Sequence, residues 1–183
     1  MKTVSIIIGH EPGRPGARNP STGMTEYGFN EPLAEIMRDM FMMVTDILPV
    51  IIYREDGDYT ALPGRVNRVG SDVAVSLHAN AFNGSVNGCE MLYYHNNGGS
   101  KILAGMLQSA VQPVMENNDR GIKPIIRSAR GGWLLSNVKA PCVIAEPFFI
   151  DNDKDLKHAT DNKDRLAAAY CEAIANYLNE VQL

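Results

Sequence analysis

The 183-residue sequence has few cysteines, no large surplus of either charge and no long apolar run, and each shortage excludes something. Its three cysteines, Cys89, Cys142 and Cys171, are odd in number and lack paired spacing, so no disulfide framework is expected. Reduced, buried thiols and synthesis in a reducing compartment are the expectation instead. Net charge is −4 with both signs spread along the chain, which leaves no electrostatic footprint for nucleic acid or an anionic membrane surface. No apolar run approaches the roughly 20 residues that cross a bilayer. The first ten residues hold a short apolar stretch and no small-residue cleavage site, so they read as a first strand rather than a signal peptide. Repeats, low-complexity tracts and linkers are also missing.

What is present is a globular composition. Apolar residues at 45% can fill a core, and 21% charged residues argue against disorder. The length suits one domain over residues 1–183, and a monomer is expected. Residues 3–9 are nearly all apolar, as in a strand covered on both faces. A loop rich in Gly, Pro and Arg follows at 11–23. Helical periodicity runs over 30–48 through Leu33, Ile36, Met37, Met40, Phe41, Val44 and Ile47. Pro32 is tolerable there only in the first turn, and Pro49 closes the helix. Further strands are predicted at 50–53, 72–78, 88–94 and 142–146, with helices at 62–69, 100–117 and 163–181. Residues 54–59 read as a polar turn and 121–135 as irregular, with Gly131-Gly132 as a breaker. Alternating strands and helices predict an α/β fold: a mostly parallel twisted sheet of about five to six strands flanked by helices.

Three predicted strands end on His10, His78 and Glu146. Open α/β sheets form their sites at the carboxyl ends of strands, so these three can converge although they are far apart in sequence. A single strand-end histidine is more often a hydrogen-bonded structural residue. Two of only four histidines, each after a buried strand, make ligation about as expected as a structural role, while His95 and His158 are placed in polar loops and read as surface residues. Glu146 stands between Val143-Ile144-Ala145 and Pro147-Phe148-Phe149, where a carboxylate is expensive to bury unless something uses it. Pairing with an arginine is its structural alternative. Imidazole plus carboxylate favours a borderline ion such as Zn2+, which in catalytic sites takes three protein ligands and leaves a position for water. These arguments do not choose the third ligand among Glu11, Glu26, Glu31 and Glu35.

The chain resembles the zinc-dependent N-acetylmuramoyl-L-alanine amidases of the type 3 class, enzymes that cut bacterial peptidoglycan. The resemblance starts at Ile6-Ile7-Ile8-Gly9-His10, with Pro12-Gly13 and Pro15-Gly16-Ala17 in the loop, and continues at Thr25-Glu26-Tyr27-Gly28-Phe29-Asn30. It takes in Tyr53-Arg54-Glu55-Asp56, Leu62-Pro63-Gly64-Arg65 and, most closely, Ser76-Leu77-His78-Ala79-Asn80-Ala81. Gly88-Cys89-Glu90, Arg120-Gly121-Ile122-Lys123 and the segment from Val143 through Glu146 to Asn152 complete it. Order and spacing together make it specific. Glu11 after His10, the early Pro32, and Pro147 after Glu146 depart from the pattern and suggest a divergent branch.

The resemblance implies His10, Glu26 and His78 as metal ligands and Glu146 as catalytic acid/base. It also implies peptidoglycan as substrate, at the amide between N-acetylmuramic acid and L-alanine. A zinc peptidase cutting within the stem peptide is the alternative, since the same groups would serve. Cys89 and Cys142 are not needed as nucleophiles and read as small buried residues. Asn80 reads equally as a residue orienting a ligand or the substrate and as a turn former. Arg127 and Arg130 flank the loop beside the glycine pair and can meet stem-peptide carboxylates, although solvated surface arginines are commoner. Without a signal peptide, a phage or prophage lysin made in the cytoplasm and acting on the cell wall after release is expected. A catalytic fragment of a longer protein fits as well.

Overall fold

A computed structural model describes residues 1–43, 46–54 and 58–180. Six strands form one sheet among these residues: β1 (Lys2–Ile8), β2 (Ile47–Ile52), β3 (Val73–Leu77), β4 (Cys89–Tyr94), β5 (Asp119–Ile125) and β6 (Cys142–Glu146). Their order is β2-β1-β3-β6-β4-β5. The first four in that order run parallel, whereas β4 is antiparallel to β6 and parallel to β5. The expected mostly parallel α/β sheet is therefore present, with six strands.

Side-chain alternation divides the core between the two faces of the sheet. Val4, Ile6 and Ile8 of β1, with Val73, Val75 and Leu77 of β3, join Val143 and Ala145 of β6 in the larger cluster. That cluster is covered by α1 (Glu26–Met42), α3 (Gly98–Met115) and α6 (Lys163–Glu180), with α5 (Asp153–Asp161) at its margin. Ile7, Ala74, Cys142 and Ile144 face the other way, against α2 (Leu62–Val69) and α4 (Gly132–Asn137). Strands buried on both faces explain why their sequences read as continuous apolar runs.

Several boundaries differ from the sequence expectation. α1 starts at Glu26 because Thr25 caps it, its hydroxyl accepting from Gly28 N at 3.1 Å, and it ends at Met42. Ile47, Leu48 and Pro49 belong to β2 instead of the helix; β2 lies at the sheet edge, where a missing N–H is tolerated. Pro32 lies in the second turn of α1, not the first. The carbonyl its absent N–H leaves free belongs to exposed Gly28, which water can serve. Residues 121–135 are not irregular, since β5 and α4 occupy most of them. α5 was not predicted, although Asn152 caps it by accepting from Lys154 N at 3.0 Å and Asp155 N at 3.2 Å. Val44, Glu55, Asp56 and Val181 lie outside the described residues. None of the described helices is long and apolar enough to cross a membrane.

Candidate active site

The carboxyl ends of β1, β3 and β6 lie side by side, as the register of Ile8 with Leu77 and of Leu77 with Ala145 requires. His10, His78 and Glu146 therefore reach one end of the sheet. His10 takes a left-handed backbone conformation (φ 71°), unusual for a residue with a side chain and a form of strain found at functional sites. The two imidazoles meet edge to face with centroids 5.1 Å apart.

Glu26 arrives from the opposite layer, because the loop before α1 folds back onto itself. Glu26 N donates to Ala17 O at 3.0 Å and Tyr27 N to Pro15 O at 3.0 Å, which presents the first helical side chain to the histidines. Its Oε1 accepts from Ala17 N at 2.8 Å. Its Oε2 lies 3.3 Å from His10 Nε2 and 3.2 Å from His78 Nδ1, and accepts from Ala79 N at 3.2 Å. Among the described residues, His10, Glu26 and His78 are the one group of three metal-capable side chains with donor atoms within 4.8 Å of one another. Of the four glutamates near the first helix, it is Glu26 that the fold brings to this group. Glu31 instead accepts from the Tyr27 hydroxyl.

The donor set fits a divalent metal. Buried His10 Nε2 has no hydrogen-bond partner, so its lone pair or proton faces Glu26 without a bond of good geometry. Burial alone would push the Glu26 carboxyl up; the two imidazoles beside it, His10 and His78, outweigh this and hold it well below the usual carboxylate range. Burial pushes His78 down against the pull of Glu26, favouring the neutral imidazole that a metal needs. Two glycines make room. A Cβ on Gly9 would sit 2.6 Å from the His78 ring, and one on Gly16 would sit 2.6 Å from the His10 ring and 2.8 Å from Glu26 Oε1.

Glu146 and Ile144, two residues apart on β6, face the α2 and α4 side, as do Glu90 and Leu92 of β4. A cleft of about 500 Å³ opens there, running from His10, His78 and Glu146 past Leu92 and Ile144. Arg54 and Tyr59 line it from one side, and Arg127, Arg130 and Trp133 from the other. Burial pushes the Glu146 carboxyl up to about 7; nearby Arg130 opposes this, while Glu90, its register partner across the strand pair, reinforces it. Glu90 is itself clamped: Oε1 accepts from Asn80 Nδ2 at 2.8 Å and Oε2 from Arg120 Nε at 2.8 Å. Arg120 in turn lies over the Phe149 ring, 5.1 Å from its centroid.

Gly9, Gly16, Glu90 and Arg120 stand in the segments that carry the family resemblance, which gives them no role, and Tyr59 and Trp133 are not singled out by the sequence. Glu90 carries a further signal, a carboxylate inside an apolar strand. Asn80 holds Glu90 through Nδ2, while its Oδ1 accepts from Ala81 N at 2.9 Å. Cys89 and Cys142 are buried free thiols, and burial pushes Cys142 up to about 12, consistent with inert packing residues. His95 is exposed as expected, but His158 is not a plain surface residue. It lies half-buried on α5, with Nε2 2.9 Å from Val114 O.

Known proteins resemble this chain in sequence and fold. A cell wall amidase of Bacillus anthracis, itself uncharacterized, is 32% identical over 116 residues, 58% of this chain but 21% of that protein's length. An N-acetylmuramoyl-L-alanine amidase from Clostridium difficile 630 superposes with a TM-score of 0.87 at 24% identity, over 98% of this chain and 97% of its own. The catalytic domain of the CD27L endolysin targeting Clostridia difficile gives 0.80 at 25% identity, over 96% and 98%. Residues 4–176 match the Amidase_3 family, described as N-acetylmuramoyl-L-alanine amidase, and so the chain belongs to that family.

Proposed function

We propose that residues 1–183 form a single catalytic domain, a zinc-dependent N-acetylmuramoyl-L-alanine amidase acting on bacterial cell-wall peptidoglycan. The bond cut is the amide joining the lactyl group of N-acetylmuramic acid to L-alanine of the stem peptide. The observation carrying this reading is the convergence of His10, Glu26 and His78 at the head of a cleft that also holds Glu146, in a chain of this family.

His10, Glu26 and His78 would hold the ion, which when bound polarises an amide carbonyl and brings the pKa of water towards about 7. Glu146 in its charged form takes a proton from the attacking water. Once protonated, it returns that proton to the leaving amine. A carboxyl held at about 7 suits both steps, because each form is populated near neutral pH. The clamp of Asn80 and Arg120 fixes Glu90, and through it the electrostatic setting of Glu146. The thiols are left out of the chemistry.

Digestion of purified peptidoglycan followed by mass analysis tests the reading. Intact stem peptides with alanine at the amino terminus are expected, from protein containing one zinc per chain. Cuts inside the stem would instead make the chain a peptidase working with the same residues.

A further inference from the structure

We propose that Arg127 and Arg130 form a carboxylate-binding subsite on the peptide side of the cleft, selecting substrates whose residue after the alanine carries a free α-carboxylate rather than a carboxamide. The inference rests on the amidase reading and deepens it.

Distance is the first support. A Cβ on Gly131 would lie 2.5 Å from Ile144 Cδ1, so the turn after Arg130 rests on Ile144. Ile144 is two residues before Glu146 on the same face of the same strand, an offset of about 7 Å. An extended peptide advances about 3.5 Å per residue. A stem peptide with its first amide at Glu146 therefore brings its second residue to the arginine turn.

Shape is the second. Ala129 N donates to Ile126 O at 3.1 Å and Gly132 N to Ala129 O at 2.9 Å. A Cβ on Gly132 would come within 2.1 Å of Ile126 O, so the turn is closed tightly on its own backbone. Arg127 stacks over Trp133, 4.9 Å from its ring centroid, and Trp133 Nε1 donates to Thr60 O at 3.2 Å, tying the turn to the other wall. A guanidinium held flat in this way loses little freedom on receiving a carboxylate.

Charge is the third. Among the described residues, no carboxylate lies within ion-pair distance of Arg127 or Arg130, while Arg14, Arg38 and Arg120 each have one. Arg130 nevertheless lines the same cleft as Glu146 and His78, so an anion it holds lies beside the catalytic end. The disaccharide repeat brings no ionised group once its lactyl carboxyl is in an amide, so the anion that matches these arginines is on the peptide. Their planar forks fit a carboxylate with two parallel bonds and fit a carboxamide poorly.

The test uses two synthetic muramyl peptides that differ only in carboxylate against carboxamide on the residue after alanine. The zinc-loaded protein should cut the carboxylate form with kcat/KM about 10- to 100-fold higher, the range for a hydrogen-bonded charge. Arg130→Gln should collapse that preference by raising KM for the carboxylate form alone. Arg127→Gln should reduce it less, and Arg130→Lys should restore part of it. Equal cutting of both peptides by the unaltered protein overturns the subsite, as does an equal loss on both in the two Gln variants. Failure to cut either peptide defeats the amidase reading instead. Calorimetric binding of the carboxylate peptide to unaltered protein and to Arg130→Gln then decides the subsite separately: weaker binding by the variant supports it, and unchanged binding removes it.

Discussion

Two glutamates buried at the same end of one sheet are driven in opposite directions. Glu26 and Glu146 are 1% and 6% exposed, and desolvation favours the neutral acid at both. At Glu26 two imidazoles and two backbone N–H groups receive the charge, so the carboxylate persists. At Glu146 the register partner is another glutamate, so the proton stays on to about 7. The difference lies wholly in the neighbours. A residue that holds a cation needs permanent charge, whereas one that moves a proton needs both forms.

The contrast can be broken most severely at Glu26. Glu26→Gln keeps the shape but removes the charge between the histidines; bound zinc should fall from one per chain towards none by elemental analysis, with loss of muramyl-peptide hydrolysis. Glu146→Gln should keep the metal and the fold while kcat drops by about 10²- to 10⁴-fold, the usual worth of a general acid–base. A folded, zinc-loaded and fully active Glu146→Gln would remove the role given to that residue.

A gentler change tests the neighbour argument. Glu90→Gln takes a carboxylate from beside Glu146, so the Glu146 titration midpoint, followed by NMR in metal-free protein, should fall from about 7 by roughly one unit. An unmoved midpoint would remove Glu90 as a cause and leave burial, with Glu26, to account for the rise.

The same shift also affects stability. The Glu146 pKa is raised above its ordinary 4.5, so its contribution is fully present below about 4.5 and lost as pH rises through about 7. Metal-free Glu146→Gln should therefore be more stable than the unaltered chain at pH 8. The gain is at most about 3 kcal/mol and should shrink towards pH 4.5, as read by urea unfolding.

The sequence made one half of this contrast easier to see than the other. His10, His78 and Glu146 each follow an apolar run, and the end of a buried strand is a place that periodicity locates. Glu26 owes its position to a loop folding back through Ala17 and Pro15, a tertiary event with no periodic signature. The family pattern supplied it. β5 escaped notice because it is a half-exposed edge strand containing Gly121 and Pro124, with no apolar alternation to mark it. The Glu90 clamp joins residues 10 and 30 positions apart, and only strand register shows that they meet.

That register depends on the single reversal in the sheet. In an all-parallel sheet, one edge collects only the last residues of strands, and those come from chain already laid down in one sense. Because β4 runs against β6, the beginning of one strand meets the end of another, Glu90 opposite Glu146. Turning β4 round without altering its composition would carry Glu90 to the far edge of the sheet, about five residues or 17 Å away. Strand polarity is thus a means of placing like charges together at a chosen spot, and a shuffled or grafted version that kept every active-site side chain but lost the reversal would leave Glu146 without its partner.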